Sequence, residues 1–163
     1  MTLEIRPARE DEMDQFGLMG SYSYGGSFGD GPDNLTASSN RPEWTLCAFD
    51  GPILATAFSA FPCTMRANGK AMAYAGISGV GTRPEYRRRG LLRRIMTQSF
   101  ADMRDRGQSV AGLWASQAGI YQRYGFSINN HKRRYEIDTA DIRLNGVEDE
   151  SLKIIRHLPA EVM

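Results

Sequence analysis

Residues 77–95 read Ile-Ser-Gly-Val-Gly-Thr-Arg-Pro-Glu-Tyr-Arg-Arg-Arg-Gly-Leu-Leu-Arg-Arg-Ile, and they predict a strand, a basic loop and the first turn of an amphipathic helix. Amide N–H groups at a helix N-terminus have no intrahelical acceptor and form an anion site. Arg87, Arg88 and Arg89 stand directly before Gly90, which has no side chain to hold off an approaching phosphate. Cations at a helix N-terminus oppose the macrodipole, so three consecutive arginines there are unfavourable unless an anion sits among them. The loop is not a P-loop, lacking Gly-x-x-x-x-Gly-Lys-Ser/Thr, nor a dinucleotide fingerprint, lacking Gly-x-Gly-x-x-Gly. A phosphate cradle of another kind is what these residues describe.

Working upstream, residues 71–82 form a strand containing Gly76, Gly79 and Gly81, a density that predicts a bulge or a close backbone approach by a ligand. Asn68-Gly69 is a tight-turn signal, and Asp50-Gly51-Pro52 between residues 44–49 and 53–61 predicts a hairpin. Leu3 and Ile5 alternate with polar residues as in a half-exposed edge strand. Met13, Phe16 and Met19 then share one helical face. Residues 21–40, rich in Gly, Ser, Asn and Asp, read either as a functional loop or as a disordered connector.

Downstream, Leu92, Ile95, Met96, Ser99, Phe100 and Met103 mark a helix ending near Gly107. Residues 110–115 are nearly uncharged, as in a strand buried on both faces. Ser116 can cap a short helix closed by Gly125 and Phe126. Residues 131–138 alternate like a last strand, and residues 139–163 are charged, with one short amphipathic piece at 152–158. The order β-α-β-β-β-α-β-α-β predicts one α/β domain on a mixed sheet.

The 163 residues are 41% hydrophobic and 24% charged, ordinary for one globular domain with a core. Twenty Lys and Arg against nineteen Asp and Glu give a net charge of +1, so any basic site is local and a nucleic-acid binder is disfavoured. Cys47 and Cys63 are the only cysteines, and they read as buried, reduced thiols. No metal-ligand spacing is present. No apolar run approaches the roughly 18 residues of a membrane span. The polar N-terminus lacks a signal-peptide core, so the expected location is cytoplasmic.

The loop Glu85-Tyr86-Arg87-Arg88-Arg89-Gly90-Leu91-Leu92, followed by Ile120-Tyr121-Gln122-Arg123-Tyr124-Gly125-Phe126, resembles the GNAT superfamily of acetyl-CoA-dependent N-acetyltransferases. The family signature is Gln/Arg-x-x-Gly-x-Gly/Ala with a downstream Tyr-x-x-x-Gly-Phe. Arg87, Gly90, Tyr121, Gly125 and Phe126 match it, and Leu92 departs from Gly/Ala. With the preceding Ala-Gly-Ile-Ser-Gly-Val strand, residues 70–127 resemble the Eis-type (enhanced intracellular survival) subgroup, whose members are longer and carry further domains. The resemblance implies an α/β (α+β) fold with a mixed central sheet flanked by helices, splayed between the two strands around the CoA site. The domain would occupy residues 1–138, and residues 139–163 would be an extension or the start of a second domain.

What the resemblance further implies is a set of roles. Backbone groups of Val80, Gly81 and Thr82 would bond the pantetheine arm of acetyl-CoA. The pyrophosphate would take amides from Arg88 to Arg93, by way of Arg89, Gly90, Leu91 and Leu92, with charge from Arg87 and Arg88. Ser116 and Gln117 would line the cofactor's other side, and Tyr121 would be the general acid for the departing thiolate. A phenol with a pKa near 10 suits a thiolate of similar basicity. Packing with Ile120, Tyr124 and Phe126 is the alternative role for Tyr121, and position favours catalysis. His131 and Glu85 are weak candidates for the base, which the subgroup takes from its C-terminal carboxylate. The partners implied are acetyl-CoA and an amine, aminoglycoside-like or a protein lysine, which Asp30, Asp33 and the tyrosines of the 21–33 loop could receive. Neither nucleic acid nor membrane is implied, and a homo-oligomer is left open. The competing reading is a non-catalytic CoA-binding or regulatory module.

Overall fold

Two tight turns build most of the sheet in the computed structural model, which describes residues 3–24, 40–131 and 133–143. Gly51, with φ +57°, joins β2 (Cys47–Asp50) to β3 (Ile53–Ala67), and the last pair is Asp50 with Ile53. Asn68 and Gly69, at φ +50° and +80°, join β3 to β4 (Lys70–Thr82), both central residues adopting the positive φ that a type I′ hairpin turn requires. Edge strand β1 (Leu3–Arg6) adds antiparallel to β2, and β5 (Val110–Leu113) adds parallel to β4. The strand order is β1-β2-β3-β4-β5, a mixed sheet as the sequence predicts. The parallel pair needs a crossover, supplied by α2 (Leu91–Asp105). The other α-helices among the described residues are α1 (Met13–Tyr24) and the short α3 (Ala118–Gln122).

Strand alternation sorts the core into two layers. On one face Ala48, Ala55, Phe58, Ala60, Ala75 and Ile77 meet Leu91, Ile95, Met96 and Met103 of α2. On the other, Cys47, Phe49, Leu54 and Ala57 meet Phe16 and Met19 of α1, together with Ala8. Phe49, Phe58, Leu54, Ile95 and Met96 are fully buried, each contributing about 1.5–3 kcal/mol of hydrophobic stabilisation.

The glycines of β4 make the anticipated bulge. From Ala57↔Gly81 to Ser59↔Ser78, β3 advances two residues while β4 advances three, and Gly79 takes φ +60°. The Ser59 hydroxyl donates to the Ser78 carbonyl at 3.1 Å and pins the kink. A Cβ on Gly79 would lie 2.7 Å from Cζ of Phe16, and one on Gly81 would lie 3.1 Å from Cγ of Met19 and against Ser23 Oγ. The close approach on that side of the strand is therefore made by α1.

Four local expectations change. α1 runs on to Tyr24, so residues 21–24 are helical, whereas residues 25–39, with Asp30 and Asp33, lie outside the described residues. β5 is not buried on both faces: Ala111 and Leu113 pack against the first core layer, whereas Val110 is exposed. Cys63 is exposed on the hairpin arm, whereas Cys47 is buried, and both thiols are free. Residues 133–138 form no strand: Arg134 and Glu136 pair in solvent, and Tyr135 and Ile137 are exposed. Alternation there marks an extended segment without a ladder among the described residues.

The chain divides into two units, Met1–Ile128 and Asn129–Met163. The first holds the sheet and the three α-helices of the described residues. The second has, among its described residues, one 3-10 turn, Thr139–Asp141, capped by the Asp138 carboxylate accepting from the Ala140 N–H at 2.9 Å.

Candidate active site

The β4–β5 ladder begins at Tyr74↔Val110 and ends at Ile77↔Leu113, yet β4 continues to Thr82. β5 ends there with its ladder, so residues 78–82 of β4 run on past it, and the residues expected at the cofactor lie along or follow one strand or the other. β4 carries Val80, half-buried against the first core layer, then Gly81 and Thr82. The Thr82 hydroxyl lies 3.2 Å from that of the buried Thr56. After β5 come Ser116 and Gln117, both exposed, and then Tyr121.

The basic loop is tied to the sheet at several points. Arg83 donates its backbone N–H to Ala55 at 3.0 Å and its Nε to Leu54 at 2.9 Å. Pro84 starts a 3-10 turn ending at Tyr86, whose hydroxyl donates to Asp50 Oδ2 at 2.9 Å. That hydrogen bond, and then burial, push the Tyr86 phenol above its ordinary pKa. Arg87 folds back, its Nε donating to the Thr82 carbonyl at 3.2 Å. Glu85 is exposed and pairs with Arg83 at 3.9 Å.

Past Arg87 the backbone turns sharply. Arg88 takes φ +62° and Gly90 φ +73°, a left-handed conformation that costs a non-glycine residue about 1–3 kcal/mol. Such turns direct successive N–H groups toward one side and make an anion-binding concavity. Gly90 caps α2 without a side-chain hydrogen bond, and the first turn contains no acid. Arg93 and Arg94 stand there instead, each opposing the dipole by about 0.3–1 kcal/mol. Arg88, Arg89, Gly90 and Arg93 are exposed, whereas Leu91 is buried and Leu92 half-buried against the core. Leu91 and Leu92 can thus offer an anion their backbone only.

α3 is set by its end more than its start. Gln117, not Ser116, is its N-cap, in extended conformation and with no side-chain bond, so the anticipated Ser116 cap is not formed. At the other end Gly125, at φ +89°, lets its N–H reach the Gln122 carbonyl at 3.0 Å and the Phe126 N–H reach that of Tyr121 at 3.4 Å, a Schellman pattern. Tyr121 is buried, with its ring edge-on to Phe126 at 6.0 Å, and Phe126 in turn lies 6.1 Å from Phe100 of α2. Phe100 is nine residues from the start of α2, about 14 Å along its axis. One helix thereby spaces the arginine loop from the Tyr121 end of the site.

Tyr86, Asp50 and Arg83 escaped the sequence reading. Their signal was present in kind, an aromatic before the arginines and an acid in a turn, but each has an ordinary local explanation. His131 belongs to the second unit. Among the described residues no three His, Cys, Asp or Glu side chains converge, and no helix is long and apolar enough to cross a membrane.

Comparison with known proteins bears on the family and the fold. Residues 4–129 match the model of the acetyltransferase (GNAT) domain. An uncharacterized N-acetyltransferase of Streptomyces avermitilis is 30% identical over an alignment of 175 positions, covering 100% of this chain and 41% of that protein. The N-acetyltransferase Eis of Mycobacterium tuberculosis is 36% identical over 88 residues, covering 50% of this chain and 22% of that protein. The chain spans less than half the length of these curated relatives. In structure it resembles Eis1 of Mycobacterium abscessus, with a TM-score of 0.66 at 24% identity over 76% of this chain and 31% of that one. It also resembles AAC(6′)-Iy, solved with a CoA-containing bisubstrate analogue, with a TM-score of 0.64 at 13% identity over 85% and 99% of the two chains. The chain belongs to the GNAT acetyltransferase domain family.

Proposed function

We propose that this domain transfers the acetyl group of acetyl-CoA to a primary amine by direct attack of the amine on the thioester. The reading is carried by one observation: β4 runs on past the end of β5, with a strained basic loop following β4 and Tyr121 following β5. Family membership and the CoA-containing ligand of AAC(6′)-Iy support acetyl-CoA as cosubstrate. Val80, Gly81 and Thr82 hold the pantetheine arm through their backbone, and Ser116 and Gln117 line the opposite side. The amides from Arg88 through Arg89, Gly90, Leu91 and Leu92 to Arg93 hold the pyrophosphate, with Arg87 and Arg88 adding charge. Tyr121 donates the proton to the departing thiolate. The acceptor is an aminoglycoside-like amine or a protein lysine. Rate comes chiefly from positioning and from donors aimed at the thioester carbonyl.

Acetyl-CoA consumption over a panel of amines tests the reading. Turnover should fall about 10²–10⁴-fold in Tyr121→Phe, the range for loss of a general acid. A protein that binds CoA but turns over with no amine is instead a CoA-binding module.

A further inference from the structure

Asp50 and Tyr86 are 36 positions apart in sequence and meet through the 2.9 Å hydrogen bond described above. Tyr86 is the one residue of its 3-10 turn that is buried, at 6% exposure, and it packs in the first core layer. On its ring sits the Arg89 guanidinium, 4.9 Å from the centroid. Arg89 is otherwise exposed, and among the described residues the Tyr86 ring is what its guanidinium rests on, whereas Arg87 is folded onto Thr82. A flexible arginine loses rotamer freedom when it binds an anion, and a prior aromatic contact removes part of that cost.

We propose that Asp50 and Tyr86 are a positioning pair: the carboxylate fixes the phenol, and the phenol ring holds Arg89 ready for a phosphate of CoA. The inference rests on the CoA-site reading and adds to it the residue that carries the third charge, together with the support that aims it. Asp50 ends β2 beside β1, so the turn between β2 and β3 sets the aim of a side chain in the loop before α2. Two phosphate sources are open to Arg89, the pyrophosphate and the 3′-phosphate of the same molecule.

The test is titration of CoA and dephospho-CoA by calorimetry at several salt concentrations, using wild type, Tyr86→Phe, Tyr86→Leu, Asp50→Asn, Arg89→Ala and the Tyr86→Leu/Arg89→Ala double variant. Arg89→Ala and Tyr86→Leu should each weaken CoA binding about tenfold, and the double variant should be no weaker than either, since both remove one interaction. Both should also flatten the salt dependence equally, because one screened contact is lost. Tyr86→Phe keeps the ring and loses the anchor, so it and Asp50→Asn should weaken binding about two- to threefold. Misfolding lowers the binding stoichiometry without changing the salt slope, which separates it from lost positioning. A loss that persists with dephospho-CoA assigns the pyrophosphate; a loss that vanishes assigns the 3′-phosphate. Additive effects in the double variant, or an unchanged affinity in Tyr86→Leu, overturn the inference and leave the CoA site standing. A wild-type protein that binds no CoA overturns the site itself.

Discussion

Phe126 terminates the helix that bears Tyr121 twice over, its N–H donating to the Tyr121 carbonyl at 3.4 Å and its ring lying edge-on to the phenol ring at 6.0 Å. Both contacts depend on Gly125 at φ +89°. Gly125→Ala should destabilise the protein by about 1–2 kcal/mol, the cost of a left-handed L-residue. Each kcal/mol lowers the melting temperature by about 2–4 °C in a chain of this size. Under the proposed function kcat should fall with it while the affinity for CoA holds, and calorimetry with steady-state kinetics checks the split.

At Gly79 backbone and packing act together, since the residue needs φ +60° and a Cβ would meet the Phe16 ring at 2.7 Å. Gly79→Ala should cost about 2–5 kcal/mol, the sum of left-handed strain and overpacking. In a Phe16→Ala background the further cost of Gly79→Ala should shrink to the strain alone, about 1–2 kcal/mol. Denaturant unfolding of the four proteins in this cycle measures the coupling. Equal penalties in both backgrounds would contradict the contact.

Arg6 and Glu12 clasp the start of α1 to β1 through two bonds of 2.7 Å, and the Arg6 guanidinium lies 3.9 Å from the Phe49 ring centroid. The hydrogen bonds from Arg6, followed by that from the Arg9 N–H, hold the Glu12 carboxyl down at about 2 against an ordinary 4.5. A carboxyl depressed on folding contributes stability above its unfolded pKa, and that contribution is lost as pH falls through the folded one. Wild-type stability should therefore decline between pH 4.5 and 2 in a way that Glu12→Gln does not share. At neutral pH Glu12→Gln should cost about 1.5–3 kcal/mol, the value of hydrogen bonds to charged groups.

The two thiols should react at very different rates. Burial pushes Cys47 up to about 11, whereas Cys63 is exposed on the hairpin arm. Since the thiolate is the reactive form, a disulfide reagent should modify Cys63 in the native protein and Cys47 only after unfolding. Mass spectrometry of the labelled peptides distinguishes them, and native labelling of Cys47 would contradict its burial.

Turns and the α2 stripe were legible because their signals are local. Asn68-Gly69 demands positive φ wherever it occurs, and Ile95, Met96, Ser99 and Met103 repeat with the helix. The β4 glycines announced a bulge, but not that α1 would fill the space beside it, because Phe16 and Gly79 meet only after folding. The same limit hid Asp50 and Tyr86, joined across 36 positions. At residues 133–138 alternation was misleading, since period two describes any extended chain and says nothing of a hydrogen-bonding neighbour.

The contact of α1 with Gly79 and Gly81 makes two distant stretches of chain inheritable only as a pair. Grafting a bulkier first helix from a relative, or regularising the strand by replacing its glycines, would bring side chain and backbone into the same space. Anyone building chimaeras of this domain should therefore exchange residues 13–24 and 78–82 together, as one cassette.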